Sequence, residues 1–385
     1  MGETIDKLTI EGFKSIRKLE DFNFRSLNVL IGANGAGKSN FVSFFRLLKE
    51  IVERRLQLAI RTTEGGADAC LYLGPKVTER FSAEMSFGNN GYSFSLMPTT
   101  DNQFVFAGET TVFRADYGNI RDSLGSGHAE AKLKLLKDEP GKRGAERGTP
   151  HYVYEAIASW VVYHFHDTGL TAGVRRQRPI NDNEVLRPDA GNLAAFLYGI
   201  RKSAPSHYAQ IRDAVRLAAP FFDDFKLRPV PANPDLIQLE WLQQGSDYPF
   251  LANQLSDGTL RFICLATALL QPVRPATMLF DEPELGLHPY AIALLGNLFK
   301  QAAEQYRRQV IVSTQSAPLL NEFAPEDVVV VERHQAESHF ERLDSRDLSV
   351  WLQEYSLGEL WQKNVLGGRP GSENAPQLVS DKDTR

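Results

Sequence analysis

The segment Gly32-Ala33-Asn34-Gly35-Ala36-Gly37-Lys38-Ser39 fits the pattern Gly-x-x-x-x-Gly-Lys-[Ser/Thr]. Glycine lets the backbone turn so that successive N–H groups face a β-phosphate, and a helix leaving the loop adds its positive end to the same anion. Lys38 is then placed to reach the β- and γ-phosphates, and the Ser39 hydroxyl to ligate Mg2+. The nucleotide-binding set is expected to comprise Asn34, Gly35, Ala36, Gly37, Lys38, Ser39 and Asn40. With glycine near 7% of residues, chance yields this pattern in roughly one chain of this length in a hundred. Here it also lies between an apolar strand signal and a helical one, which is the context a phosphate loop requires.

A second candidate is the run Thr277-Met278-Leu279-Phe280, followed by Asp281-Glu282-Pro283. The apolar residues predict a buried strand, and its carboxyl end is where open α/β sheets place their ligands. Asp281 is expected to hold Mg2+, directly or through water, and Glu282 to polarise an attacking water as general base. An Asp-Glu pair alone more commonly caps a helix; its position after a buried strand, in a chain that also carries the loop, favours catalysis. Together the two segments predict Mg-dependent hydrolysis of ATP.

The elements that must position these groups can be read from periodicity. Leu27–Ile31 predicts the strand before the loop, and Phe41, Phe44, Phe45, Leu47, Leu48, Ile51 and Val52 recur with a helical period after it. Between residues 81 and 113 short aromatic or alternating runs, with Asn89-Asn90-Gly91 as a turn signal, predict an antiparallel meander. Residues 114–150 are polar, with a loop over 137–148. Trp160–Phe165 predicts a strand running into His166-Asp167-Thr168. Residues 189–224 read as mainly helical, capped at Asp189. Residues 225–242 read as strands broken by proline turns. A helix over 260–270, strands at 278–280, 310–312 and 328–331, and a helix near 291–306 follow. Alternating short strands and helices imply a mostly parallel core sheet covered on both faces. The meander and an inserted helical lobe extend this α/β core. Tyr355, Leu357, Leu360 and Trp361 predict a helix docking onto that core, and the Gly/Pro/Ser-rich stretch 365–385 predicts a disordered tail.

Composition is ordinary for a globular chain: 385 residues, 42% hydrophobic, 24% charged, net charge −5. A net negative charge supplies no global field toward nucleic acid or anionic lipid. Cys70 and Cys264, far apart in apolar surroundings, form neither a disulfide framework nor a metal-ligand spacing and suit a reducing cytoplasm. No signal peptide or membrane helix is expected, so a cytoplasmic protein is.

Two further segments acquire meaning from their positions. Ser256-Asp257-Gly258-Thr259, taken alone, is a turn and helix cap. Placed at a helix N-terminus one helix before the carboxylate strand, it resembles the signature motif of ABC-type ATPases, which contacts the γ-phosphate held by an opposite subunit. Ser313-Thr314-Gln315-Ser316 ends a strand where that superfamily carries its switch residue. The order of motifs, from Ile10-Glu11-Gly12-Phe13-Lys14-Ser15 through the loop, residues 163–168, the signature and Asp281-Glu282-Pro283-Glu284 to Gly286-Leu287-His288-Pro289, resembles the ABC-type ATPase heads of the RecF, SMC and OLD group. The resemblance implies one head over residues 1–364, divided near 113 and 254. It also implies head-to-tail pairing of two copies around ATP, as a homodimer or higher oligomer. Ser256, Asp257 and Gly258 would then serve the partner copy's nucleotide, residues 284–288 would lie near the dimer contact, and His166 or Asp167 would sense Mg2+ and γ-phosphate. Two departures stand out: Asp257 where transporter signatures have a second glycine, and Gln315 where histidine is common. Gln315 can donate a hydrogen bond but cannot become cationic. Two outputs fit such a switch. One is a RecF-like action on DNA in repair or maintenance; Arg175, Arg176, Arg178 and Arg187, solvated loop charges by default, are the densest basic stretch and offer a contact for a nucleic-acid backbone, the partner head or a phosphate. The other is the gating of a separate effector, a nuclease or toxin, in anti-phage defence.

Overall fold

The computed structural model describes residues 3–115, 118–141 and 146–368. Its central sheet has the strand order Glu337–Arg342, Val328–His334, Leu27–Ile31, Gln309–Thr314, Thr277–Asp281, Val161–Tyr163. All neighbours run parallel except the antiparallel edge strand Glu337–Arg342. The inner strands carry continuous apolar runs, Val29–Ile31, Val310–Val312, Met278–Phe280 and Val328–Val331, because each is covered on both faces. Val29, Phe280, Val312 and Val330 point into one core, and Leu30, Leu279, Ile311 and Val329 into the other, as the two-residue period of a strand dictates. The register sets Asp281 opposite Ser313 and Thr314 opposite Ile31. The chain segments that begin at Gly32, Glu282 and Gln315 therefore leave the sheet from the same edge.

One core face is closed by a six-stranded antiparallel sheet, ordered Ile16–Asn23, Lys7–Phe13, Phe81–Phe87, Asn90–Pro98, Phe104–Ala115, Gly118–Gly125. The helix Lys38–Val52 lies in that same core. Its Phe44 ring meets Phe13 at 6.0 Å and Phe81 at 6.2 Å between ring centroids. The other face is covered by the helices Asp257–Leu270 and Pro289–Glu304 and by the inserted lobe with helices Leu193–Ser203 and Pro205–Ala218. Residues 260–270 are buried all round, which accounts for a helix with no polar stripe. The helix Leu357–Gln362 docks through Leu357 and Leu360, as its spacing predicts. Among the described residues no helix is long and apolar enough to cross a membrane. Both cysteines are buried and unbonded, and burial pushes each thiol up to about 12.

Several expectations are corrected. Residues 118–125 form a strand although they carry no apolar alternation; as the edge of the meander this strand is mostly uncovered and needs none. Asp189 is not the helix cap. Ala190 turns the chain at φ 54°, Asp189 accepts the Gly191 N–H at 2.9 Å, and the helix begins after Asn192. The loop expected over 137–148 is flanked by helices Leu133–Leu136 and Thr149–Ala158, and its residues 142–145 lie outside the described ones. The tail does not lose order at 365. Val365 N–H donates to Leu360 O at 2.9 Å, and Ala33 N–H, in the phosphate loop, donates to Gly368 O at 2.7 Å. Gly367 and Gly368, at φ 78° and 76°, make a turn against Glu332; glycine here supplies left-handed backbone. The rest of the expected disordered tail, 369–385, lies outside the described residues.

Candidate nucleotide-binding site

The loop between Ile31 and Lys38 depends on close backbone approach. A Cβ at Gly32 would stand 2.2 Å from Val331 O, and one at Gly37 would stand 2.0 Å from Ser338 Oγ. Gly37 also adopts φ 118° as the residue before the helix. Ser338 holds the loop's outer side, donating to Ala36 O at 2.6 Å, and Arg333 donates to Gly35 O at 3.3 Å. Asn34, Gly35 and Ser39 are exposed, whereas Ala36, Gly37 and Lys38 are buried. The Lys38 ammonium donates to Gly32 O at 2.7 Å and Ala33 O at 3.0 Å. Burial lowers its pKa, against the opposing pull of the Glu282, Asp281 and Glu284 carboxylates. Asn40, expected at the nucleotide, instead donates its side-chain amide to Ser15 Oγ at 2.6 Å. It is the third residue of the helix Lys38–Val52 and bonds to the turn between the strands that end at Phe13 and begin at Ile16.

The predicted carboxylates do converge. Asp281 Oδ1 accepts the Ser313 hydroxyl at 2.8 Å, and Arg46 Nη2 stands 3.6 Å from Asp281 Oδ2. Glu282 leaves the strand at φ 42°, a left-handed conformation costing a non-glycine residue roughly 1–2 kcal/mol. Its N–H is anchored on Ser313 O at 2.8 Å. Gln315 donates its side-chain amide to Glu282 Oε1. His166 shares a small cavity with Asp281, Glu282 and Arg261. Burial depresses the pKa of its imidazole, while Asp281 and Glu282 oppose the shift. Asp167 does not join it: its Oδ1 accepts the Gly169 N–H at 3.2 Å within its own turn.

The signature segment caps its helix as its sequence predicts, with Thr259 N–H donating to Ser256 Oγ at 3.1 Å. Its glycine has a reason within the chain, since a Cβ on Gly258 would sit 2.2 Å from Gly286 O. Gly258→Ala is therefore expected to cost about 2 kcal/mol by overpacking, seen as a lowered urea midpoint. An unchanged midpoint would mean that the 286 turn yields freely. Asp257 accounts for its departure from transporter signatures by pairing at 2.7 Å with Arg175. That guanidinium, 5% exposed, also donates to the carbonyls of Thr168, Ala252 and Leu255. Arg175 is thus a buried strut joining residue 168 to the signature, and not a surface for nucleic acid. Arg178 is half-buried, Arg176 is exposed, and Arg187 pairs with Asp182 at 2.8 Å. A second strut, Arg261, donates to the carbonyls of Phe165, His166 and Leu285.

Several residues of this region were not singled out by motif reading: Arg46, Arg175 as a strut, Arg261, Arg333 and Ser338. Arg46 and Arg261 fall inside helices where a lone charge reads as solvated surface, so periodicity offers no signal for them. The oxygen donors fit magnesium. Ser39 hydroxyl and Asp281 carboxylate are hard ligands of the kind Mg2+ takes beside phosphate oxygens and water, without an all-protein cage. No group of at least three metal-ligating His, Cys, Asp or Glu side chains exists among the described residues.

Residues 160–321 match a family model described as "AAA domain, putative AbiEii toxin, Type IV TA system", and residues 7–48 match a second AAA domain model. The chain is similar in structure to an Smc head domain with an extended coiled coil, bound to the C-terminal domain of ScpA and derived from Pyrococcus furiosus. That likeness has TM-score 0.58 and 14% identity, covering 91% of this chain and 99% of the other. It is also similar to an SMC head bound to the C-winged helix domain of ScpA, with TM-score 0.53 and 15% identity, covering 90% and 99%. No curated protein matches.

Proposed function

From a chain that has the fold of an ABC-type ATPase head of the SMC and RecF group, we propose an ATP-binding and ATP-hydrolysing switch. Residues 1–364 form one head in this reading, and two heads close head-to-tail around ATP. The observation that carries it is the convergence of Glu282, Gln315 and Asp281 at the sheet edge where the loop of Lys38 begins. Asn34 to Ser39 bind the phosphates through backbone N–H groups. Lys38 exchanges the carbonyls of Gly32 and Ala33 for phosphate oxygens. Ser39 and Asp281 would hold magnesium, which when bound would offset the negative charge of the phosphates. Glu282 accepts the proton of the water that attacks the γ-phosphorus, the bond to ADP breaks, and ADP and phosphate leave. With one Glu282 oxygen held by Gln315, the other is left for that water. Ser256, Asp257 and Gly258 complete the site of the partner copy.

For the output, a protein effector has the better support. The densest basic stretch loses Arg175 to burial and Arg187 to an ion pair. The model matched by residues 160–321 is described as "AAA domain, putative AbiEii toxin, Type IV TA system". We therefore favour an ATPase gating an effector in anti-phage defence over a RecF-like role in DNA repair. Phosphate release by the purified chain is expected to require Mg2+, to vanish with EDTA, and to be unchanged by duplex DNA. Turnover raised by DNA, with retention of the protein on DNA in ATP, would restore the repair reading. Neither ATP binding nor turnover would end both.

A further inference from the structure

Glu284 has no part in the hydrolytic chemistry proposed above, yet it is 7% exposed in the turn that follows Glu282. Its Oε1 accepts the Thr314 hydroxyl at 2.5 Å and the Gln315 backbone N–H at 3.2 Å. Its Oε2 is buried with no partner. A buried carboxyl that satisfies two donors through one oxygen, and leaves the other bare, is costly to keep unless its bonds do something. Those bonds reach the hydrolytic pair, because Gln315 in turn donates its side-chain amide to Glu282.

The far side of the same turn faces the signature helix. Arg261 donates to Leu285 O, Gly258 abuts Gly286 O, and Leu287 N–H closes the turn on Glu284 O at 3.0 Å. A continuous path thus runs from Gly258 and Arg261, through residues 284–287, to Thr314 and Gln315, and ends on Glu282. Every link is a hydrogen bond or a contact with no room for a methyl group.

We propose that Glu284 is a positioning residue for hydrolysis: through Oε1 it clamps Thr314 and Gln315 to the turn carried by the signature helix, and so sets where the Gln315 amide holds Glu282. The inference rests on the ATPase reading and adds that the clamp acts by accepting hydrogen bonds, not by charge. Burial raises the pKa of Glu284, opposed by the bonds from Thr314, its own backbone and the Gln315 backbone, with the Glu282 carboxylate adding to the rise. Glutamine preserves the accepting oxygen and the shape, and only alanine releases the clamp.

The test compares Glu284→Gln and Glu284→Ala in the full chain, with turnover normalised to the number of ATP sites titrated. Alanine is expected to lower kcat about 10²-fold, the cost of displacing a reacting group by about 1 Å, with ATP affinity little changed. Glutamine is expected to stay within about 3-fold of the parent, since it remakes both bonds. A residue serving only stability would lower the titrated sites and leave kcat per site intact, and that result overturns the proposal. Equal losses in the two variants overturn it too, by showing that the charge matters. If the alanine variant does not fold, Thr314→Val removes the hydroxyl donor while keeping the branched shape. A kcat unchanged in that variant is then the overturning result, and a fall of about 10-fold the supporting one. A parent chain with no Lys38-dependent turnover overturns the ATPase reading itself, which separates the two failures.

Discussion

Lys38→Ala is expected to reduce Mg-dependent ATP turnover by at least ~10³-fold, the scale seen when a cation aimed at transferring phosphoryl charge is removed. The residue is 3% exposed, and its ammonium is surrounded by the loop's own carbonyls, with Glu282, Asp281 and Glu284 near enough to raise its pKa against burial. Such a cation is partly desolvated before any phosphate arrives. Its exchange from carbonyls of Gly32 and Ala33 to phosphate oxygens therefore costs little in further desolvation. Alanine keeps the glycine torsions and the contacts of Ser338 and Arg333 that hold the loop, while the charge at the β- and γ-phosphates is gone. Phosphate release measured beside a thermal melt separates these effects. A normal rate in a folded Lys38→Ala protein would refute the assignment of this loop as the catalytic site.

Glu282→Gln is expected to behave differently: ATP still binds, turnover falls by ~10²–10⁴-fold, and the ATP-bound pair of heads accumulates. The substitution keeps the volume and the left-handed backbone that the carboxylate already adopts at φ 42°. The Gln315 amide can still donate to the new side-chain carbonyl, so the geometry of the switch is retained. What is lost is the ability to take a proton from water. Without that step the closed state has no route to ADP, and the proposed dimer should become long-lived. Size measurement with and without ATP, repeated with DNA, reads both the pairing and the output. A species that stays the size of one chain in ATP would exclude pairing driven by nucleotide.

The glycine-rich loop, the strand ending in Asp281, the long helix from Lys38 and the antiparallel meander were all readable from residues alone. Each is contiguous in the chain, and its physics is local: glycine torsions, a two-residue or helical period, a carboxylate after an apolar run. Local reading failed where a residue's environment is supplied by distant chain. The strand Gly118–Gly125 has no alternation because it is an edge. Gly367 and Gly368 look like a tail but turn against Glu332 beside the loop at Ala33.

The same division runs through the site. Sequence by itself singled out the groups proposed to bind phosphate and to carry charge, because glycine spacing and carboxylates after an apolar run are local features. Only the tertiary structure decided who holds them. Gln315 meets Glu282, Thr314 meets Glu284 and Asp257 meets Arg175 across sequence separations of 33, 30 and 82 residues. Those meetings are set by sheet order, by parallel register at Asp281 and Ser313, and by the seating of Gly258 on Gly286. A side chain's charge is written in its own position, but its partner is fixed by packing of the whole core.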